Sequence, residues 1–86
     1  MTTIHKLKTW TPIWEHVNEG RKTFEVRKND RGYCIGDILQ LDEWDPITES
    51  YTGRKCFRQV NYILSGGTFG VSVGYCVMGL VLLEDE

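Results

Sequence analysis

Residues 11–27, TPIWEHVNEGRKTFEVR, hold the change of period that decides the fold. Up to Gly20 the apolar side chains recur at helical spacing: Trp14 and Val17, with Ile13 beside them, share one face while Glu15, Asn18 and Glu19 face water. After Gly20 they alternate. Phe24 and Val26 point one way and Thr23, Glu25 and Arg27 the other, which is the two-residue period of a strand. Thr11 before Pro12 reads as a helix start, with a hydroxyl acceptor at the N-cap and a proline at the first helical position, where its missing N–H needs no partner. Gly20 supplies the left-handed stop. The helix, from Thr11 to about Glu19, is too short to persist alone, so packing of Trp14 has to hold it.

Outward from this segment the strand period dominates. A short strand precedes the helix, around Ile4 to Lys8. Beyond it, Asn29-Asp30-Arg31-Gly32 and Cys34-Ile35-Gly36-Asp37 read as turns, followed by a strand from Ile38 to Trp44. Asp45-Pro46 and Tyr51-Thr52-Gly53 bracket a hairpin connection into a strand from Arg54 to Leu64. In that strand Cys56 leads, Arg58 faces out, and Val60, Tyr62 and Leu64 share a face. A loop, Ser65 to Gly70, leads to a last strand, Tyr75 to Leu83, whose unbroken apolar character predicts burial on both faces. The pattern is that of a small, mostly antiparallel barrel with a helix plugging one end.

With 86 residues, 41% apolar and 26% charged, the chain has the composition of one small folded domain, residues 1–86, rather than a disordered segment. The apolar run near the C-terminus is shorter than the ~20 residues of a membrane helix and lies at the wrong end for a signal peptide. The expectation is therefore a cytoplasmic protein with no membrane partner. A net charge of −2 argues against a coat for duplex nucleic acid. The charge is uneven, however: residues 1–37 carry seven Lys/Arg against five acids, and residues 38–86 three against seven. A local basic site for a small anion or a short single strand would sit in the first half. Cys34, Cys56 and Cys76 form no CxxC pair and no histidine stands at zinc-ligand spacing, so no metal and no cofactor is implied, and the thiols read as small hydrophobes. The loop Ser65 to Gly70 lacks the G-K-[ST] ending of a P-loop. Instead it reads as a flexible wall with Phe69 closing on the core or a ligand.

Gly20 to Arg27 reads G-x-K-x-x-E-x-R at a helix-to-strand junction. This resembles the signature of the ASCH domain, a branch of the PUA-like β-barrel superfamily. The wider run is similar to a small bacterial and phage ASCH-like family of unassigned activity. It comprises His5-x-Leu7-Lys8, GRKTFEVRKND from Gly20 to Asp30, Gly36-Asp37-Ile38-Leu39, Tyr51-Thr52-Gly53-Arg54, and Tyr62-Ile63-Leu64-x-Gly66-Gly67-x-Phe69-Gly70. The resemblance implies an α+β, mostly β fold: a PUA-like barrel of about five or six strands with one or two short helices. It also implies a module that binds RNA or a modified nucleoside.

Lys22, Glu25 and Arg27 bring both charge signs to one strand face and its entry. Such a set can seat a hydrogen-bonding ligand, with arginine forked onto a phosphate or carbonyl and the carboxylate accepting from a base. It can equally be an exposed cross-strand ion-pair cluster. Lys8, Trp10, Lys28 and Phe69 complete the candidate ligand-binding set. Trp10 is divided between core and ligand, and Tyr33 lies near the same end; Trp14 belongs to the core, and Trp44 and Phe57 to sheet packing. His5 and His16 have no readable metal partners and are expected to be structural or solvated. One ASCH branch removes the acetyl group of 4-acetylcytidine with a lysine, a threonine and a glutamate. By that resemblance Lys22, Thr23 and Glu25 are the catalytic candidates. Yet Glu25 stands where that branch has its nucleophile, and no carboxylate follows between Tyr62 and Leu83. A third reading is a module whose partner is another protein.

Overall fold

The computed structural model describes residues 2–83. Strand β1 (Ile4–Trp10) runs directly into helix α1 (Thr11–Asn18), followed by β2 (Phe24–Lys28), β3 (Ile38–Asp45), β4 (Ser50–Ser65) and β5 (Tyr75–Val81). The five strands form one curled half-barrel sheet in the order β1-β3-β4-β5-β2. Among the described residues β1 and β3 pair in parallel and the other neighbours antiparallel. The fold is thus mostly β with one short helix, as expected, and the first strand runs two residues further than its sequence pattern indicated. No helix among the described residues is long and apolar enough to cross a membrane.

One face of each strand lines the core. In β1 and β3 the parallel register sets His5 beside Leu39, Leu7 beside Leu41 and Thr9 beside Glu43, all of them buried. Cys56 and Val60 of β4 and Cys76, Met78 and Leu80 of β5 complete the inner surface. Helix α1 lays Trp14 and Val17 across it, and Trp14 Nε1 donates to Leu41 O at 2.9 Å, fixing the helix on β3. The expected left-handed stop is present at Gly20 (φ 84°), and the N–H groups of Gly20 and Arg21 donate to Val17 O and His16 O.

Several expectations are corrected. Because no residue separates β1 from α1, the N-cap falls on Trp10 in extended conformation, and Thr11 instead donates its hydroxyl to Trp44 O at 3.0 Å. The hairpin is the Asp45–Ser50 turn, and Tyr51 to Gly53 already belong to β4. A bulge at Asn61, between Val60 and Tyr62, shifts the phase of β4. Ile63 therefore packs on the core while Tyr62 is exposed. Arg58, in phase with Cys56 and Val60, is not outward: its Nη2 donates to Val17 O at 2.8 Å and caps the last turn of α1. Strand β5 alternates buried and half-exposed residues instead of burying both faces, since the helix covers only one side of the sheet.

The ring of Trp14 is 2% exposed and carries both the helix packing and a hydrogen bond. Trp14→Ala is expected to lower unfolding stability by about 3–5 kcal/mol in urea titrations, as for other large buried aromatics. A loss below about 1 kcal/mol would contradict this packing.

Candidate functional site

The two ends of the sheet order, β1 and β2, share no backbone ladder. Side chains bridge them instead. Arg27 Nη2 donates to Lys8 O at 3.0 Å and to Thr9 Oγ1 at 3.3 Å, and Arg31 Nη1 donates to Lys6 O at 3.1 Å. Lys6 and Lys8 are two residues apart, so their carbonyls point to the same free edge of β1.

Above this bridge lies a cleft of about 410 Å³ between β1, the first turn of α1 and β2. Glu25 lies at its base, with only 3% of its surface exposed. Its Oε1 accepts from Lys22 Nζ at 2.8 Å and its Oε2 from Arg27 Nε at 2.8 Å. Lys22 Nζ also donates to Phe24 O at 2.6 Å and stands 4.7 Å from the Phe24 ring centroid. A buried carboxylate with a cation on each oxygen is the arrangement that burial of such a charge requires. Trp10 lines the same cleft and remains 54% exposed, an aromatic edge beside a charged base.

A model of a family described as a domain of unknown function, DUF3850, matches residues 4–80. The chain belongs to the DUF3850 family. It is also similar to the "Uncharacterized 12.9 kDa protein in GpA 3'region" of Escherichia phage P2, with 44% identity over 55 residues. That match covers 64% of this chain and 49% of the phage protein, so the chain spans about half the length of this relative.

In this DUF3850 chain the cleft gathers Lys8, Trp10, Lys22, Glu25 and Arg27 from the expected set, and leaves out three other residues. Lys28 is on the exposed face of β2, in phase with Phe24 and Val26. Phe69 sits at the tip of its loop, 88% exposed with a φ of 52°, and closes on neither core nor cleft. Thr23 lines a different groove, with Val17, Arg58 and Leu80, on the C-terminal side of α1. Lys8 contributes its carbonyl, while its ammonium lies 4.0 Å from the Trp44 ring centroid, on the outer face. Tyr33 is buried against His5 and is not a ligand platform. Among the described residues no group of three or more His, Cys, Asp or Glu could hold a metal ion.

Two polar clusters escaped the sequence reading. Glu43, 1% exposed, accepts from Arg54 Nε at 2.8 Å, Arg54 Nη2 at 3.0 Å and Thr52 Oγ1 at 2.6 Å. Arg54 also pairs with Glu15 of α1 and places its guanidinium 4.3 Å from the Trp14 ring centroid. The register breaks between Asp42 and Trp44, so a bulge at Thr52 to Arg54 turns these side chains onto Glu43. In the other cluster His5 Nε2 donates to Asp37 Oδ2 at 2.9 Å, and Asp37 also accepts from the N–H groups of Cys34 and Thr3. The signal was present in Leu39-x-Leu41-x-Glu43 and His5-x-Leu7-x-Thr9, where the polar residue shares the phase of the leucines. Burial pushes the Cys56 and Cys76 thiols up, as fits small hydrophobes, whereas Cys34 is exposed.

The Arg54 hydrogen bonds, aided by Thr52, outweigh burial and hold the Glu43 carboxyl below its ordinary range. For Asp37 burial pushes upward, but the bonds from His5, Cys34 and Thr3 together bring it below its ordinary range. A carboxylate with a lowered folded pKa binds fewer protons in the folded than in the unfolded state, so its contribution is present near neutrality and lost as pH falls. Stability is therefore expected to decline below about pH 4. Glu43→Gln should be less stable than wild type at pH 7, with the difference shrinking toward pH 3 in parallel urea titrations. A difference independent of pH would show that the Glu43 charge contributes nothing.

Proposed function

We propose that this DUF3850 cleft binds a nucleoside unit, either free or at an unpaired position of an RNA strand. The observation that carries the reading is the buried Glu25 carboxylate at the base of a cleft whose rim includes the half-exposed ring of Trp10. An aromatic face holds a base by stacking, which every base allows. A carboxylate accepts from the amino or imino hydrogens of a base edge, and Glu25 keeps lone pairs beyond the two that Lys22 and Arg27 use. An open cleft beside an aromatic ring suits a base that is free to leave its stack, as bases of single-stranded or looped RNA are and those of a duplex are not.

The likeness of Gly20 to Arg27 to the ASCH signature, and through it to PUA-like barrels, supports the same ligand class. It extends less well to acetylcytidine hydrolysis. Such chemistry needs a nucleophile within hydrogen-bond reach of its base, and Thr23 opens on the α1 side instead of the cleft. Binding without turnover is the reading we favour.

Trp10→Ala is expected to weaken binding of a single-stranded RNA oligomer by about 1–3 kcal/mol in calorimetry, the usual worth of one base–aromatic stack. Equal affinity for duplex DNA, unaffected by Arg27→Ala, would overturn the proposal. Incubation with 4-acetylcytidine should release no acetate above background. Release by wild type that is lost in both Lys22→Ala and Thr23→Ala would make the protein a hydrolase.

A further inference from the structure

Arg27 can make five N–H hydrogen bonds. Three are made inside the protein: Nε to Glu25, and Nη2 to Lys8 O and Thr9 Oγ1. No protein atom among the described residues accepts from Nη1. A guanidinium held by three bonds of this kind has little rotamer freedom left to lose, so its remaining donors are aimed before any ligand arrives.

The charge around Glu25 points the same way. Lys22 and Arg27 carry two positive charges against its one negative charge, and both ion pairs line the cleft. Lys8 lends the cleft its carbonyl, which Arg27 Nη2 occupies, while its ammonium rests on the Trp44 ring on the outer face. A neutral nucleoside would leave that excess uncompensated in a partly desolvated site. An oxyanion beside Nη1 would satisfy both the donors and the charge.

We propose that the cleft recognises a nucleotide and not a nucleoside: a phosphate oxygen accepts from Arg27 Nη1 in the field of Lys22, while the base lies against Trp10. This rests on the nucleoside reading of the cleft and adds the phosphate as its discriminating group. The phosphate can be the monoester of a free nucleotide or the diester of an RNA strand.

The test compares three probes on the wild-type protein: uridine, uridine 5′-monophosphate and the dinucleotide UpU, by calorimetry and by phosphorus NMR of the two phosphate-bearing probes. At least one phosphate-bearing probe is expected to bind about ten-fold or more tightly than uridine, the worth of one charge-assisted hydrogen bond. Its advantage should shrink as salt is raised. Preference for the monophosphate assigns a free nucleotide, and preference for UpU assigns a strand. Arg27→Lys, which keeps the charge and removes the Nη1 donors, should erase the advantage and the phosphorus shift, whereas Lys28→Ala, on the outer face, should keep both. Uridine binding as tightly as both phosphate-bearing probes would overturn the phosphate site and leave the nucleoside reading standing. Binding of none of the three, nor of the four-base set of monophosphates, would overturn both.

Discussion

A carboxylate removed from water must be matched by cations and hydrogen bonds, and in this fold the matching of Glu25 also joins the sheet. Glu25 points inward from β2, where a lone charge would carry a penalty of several kcal/mol. Arg27, two residues on and on the same strand face, supplies one partner and then spans to the β1 carbonyl of Lys8. Lys22, at the junction of α1 and β2, supplies the other. The half-barrel thus draws its open edges together through side chains where a full barrel would use a backbone ladder. Arg27 and Arg31 also occupy the carbonyls that would otherwise leave β1 open to pairing with another chain.

The sequence made the element string legible because local signals agreed. Gly20 ends one period and begins another, and the helix face of Trp14 and Val17 follows directly from spacing. What it concealed depends on partners distant along the chain. Alternation in β2 was readable, but its direction was not: Phe24 and Val26 face out, because the inner side of β2 closes on Lys8 and Thr9 rather than on apolar residues. A reader who assigns apolar to inside inverts the strand, although Glu25 and Arg27 still fall together. The bulges at Asn61 and at Thr52 to Arg54 were equally hidden, since a bulge is a mismatch between two strands and neither strand shows it alone. With the second bulge went the Glu43 cluster, and with the first the exposure of Tyr62.

The candidate site shows the same division. Lys22, Glu25 and Arg27 were found because a short motif carries them on adjoining elements. Lys28 and Phe69 lie outside the cleft: Lys28 was included for its nearness to Arg27, although strand phase already placed it on the opposite face, and Phe69 for a loop that was expected to fold back but projects outward. Trp10 could not be settled from sequence, because a residue that ends a strand and caps a helix satisfies both a core and a surface pattern. The structure resolves it as the rim of the cleft.

Glu43 and Glu25 make an instructive pair, since each is a buried carboxylate held by arginine. Glu43 receives three bonds, and its arginine goes on to grip Glu15 and cover Trp14, so that every element of the cluster secures α1 to the sheet. The Glu25 cluster opens onto a cleft and retains donors without protein partners. An apolar pair of similar volume would hold a small core at least as well as a buried ion pair does. Charge is therefore to be explained by something besides stability, and the two clusters differ in what that is. At Glu43 it is the orientation of a short helix that cannot persist alone. At Glu25 the edges could have been joined by apolar contact, and the fold instead uses an arginine that lines the cleft and whose Nη1 has no protein acceptor among the described residues. Departures from local consistency of this kind gather where a protein meets its ligand. That contrast places the Glu43 cluster in the framework and is what supports the binding role proposed for the Glu25 cleft.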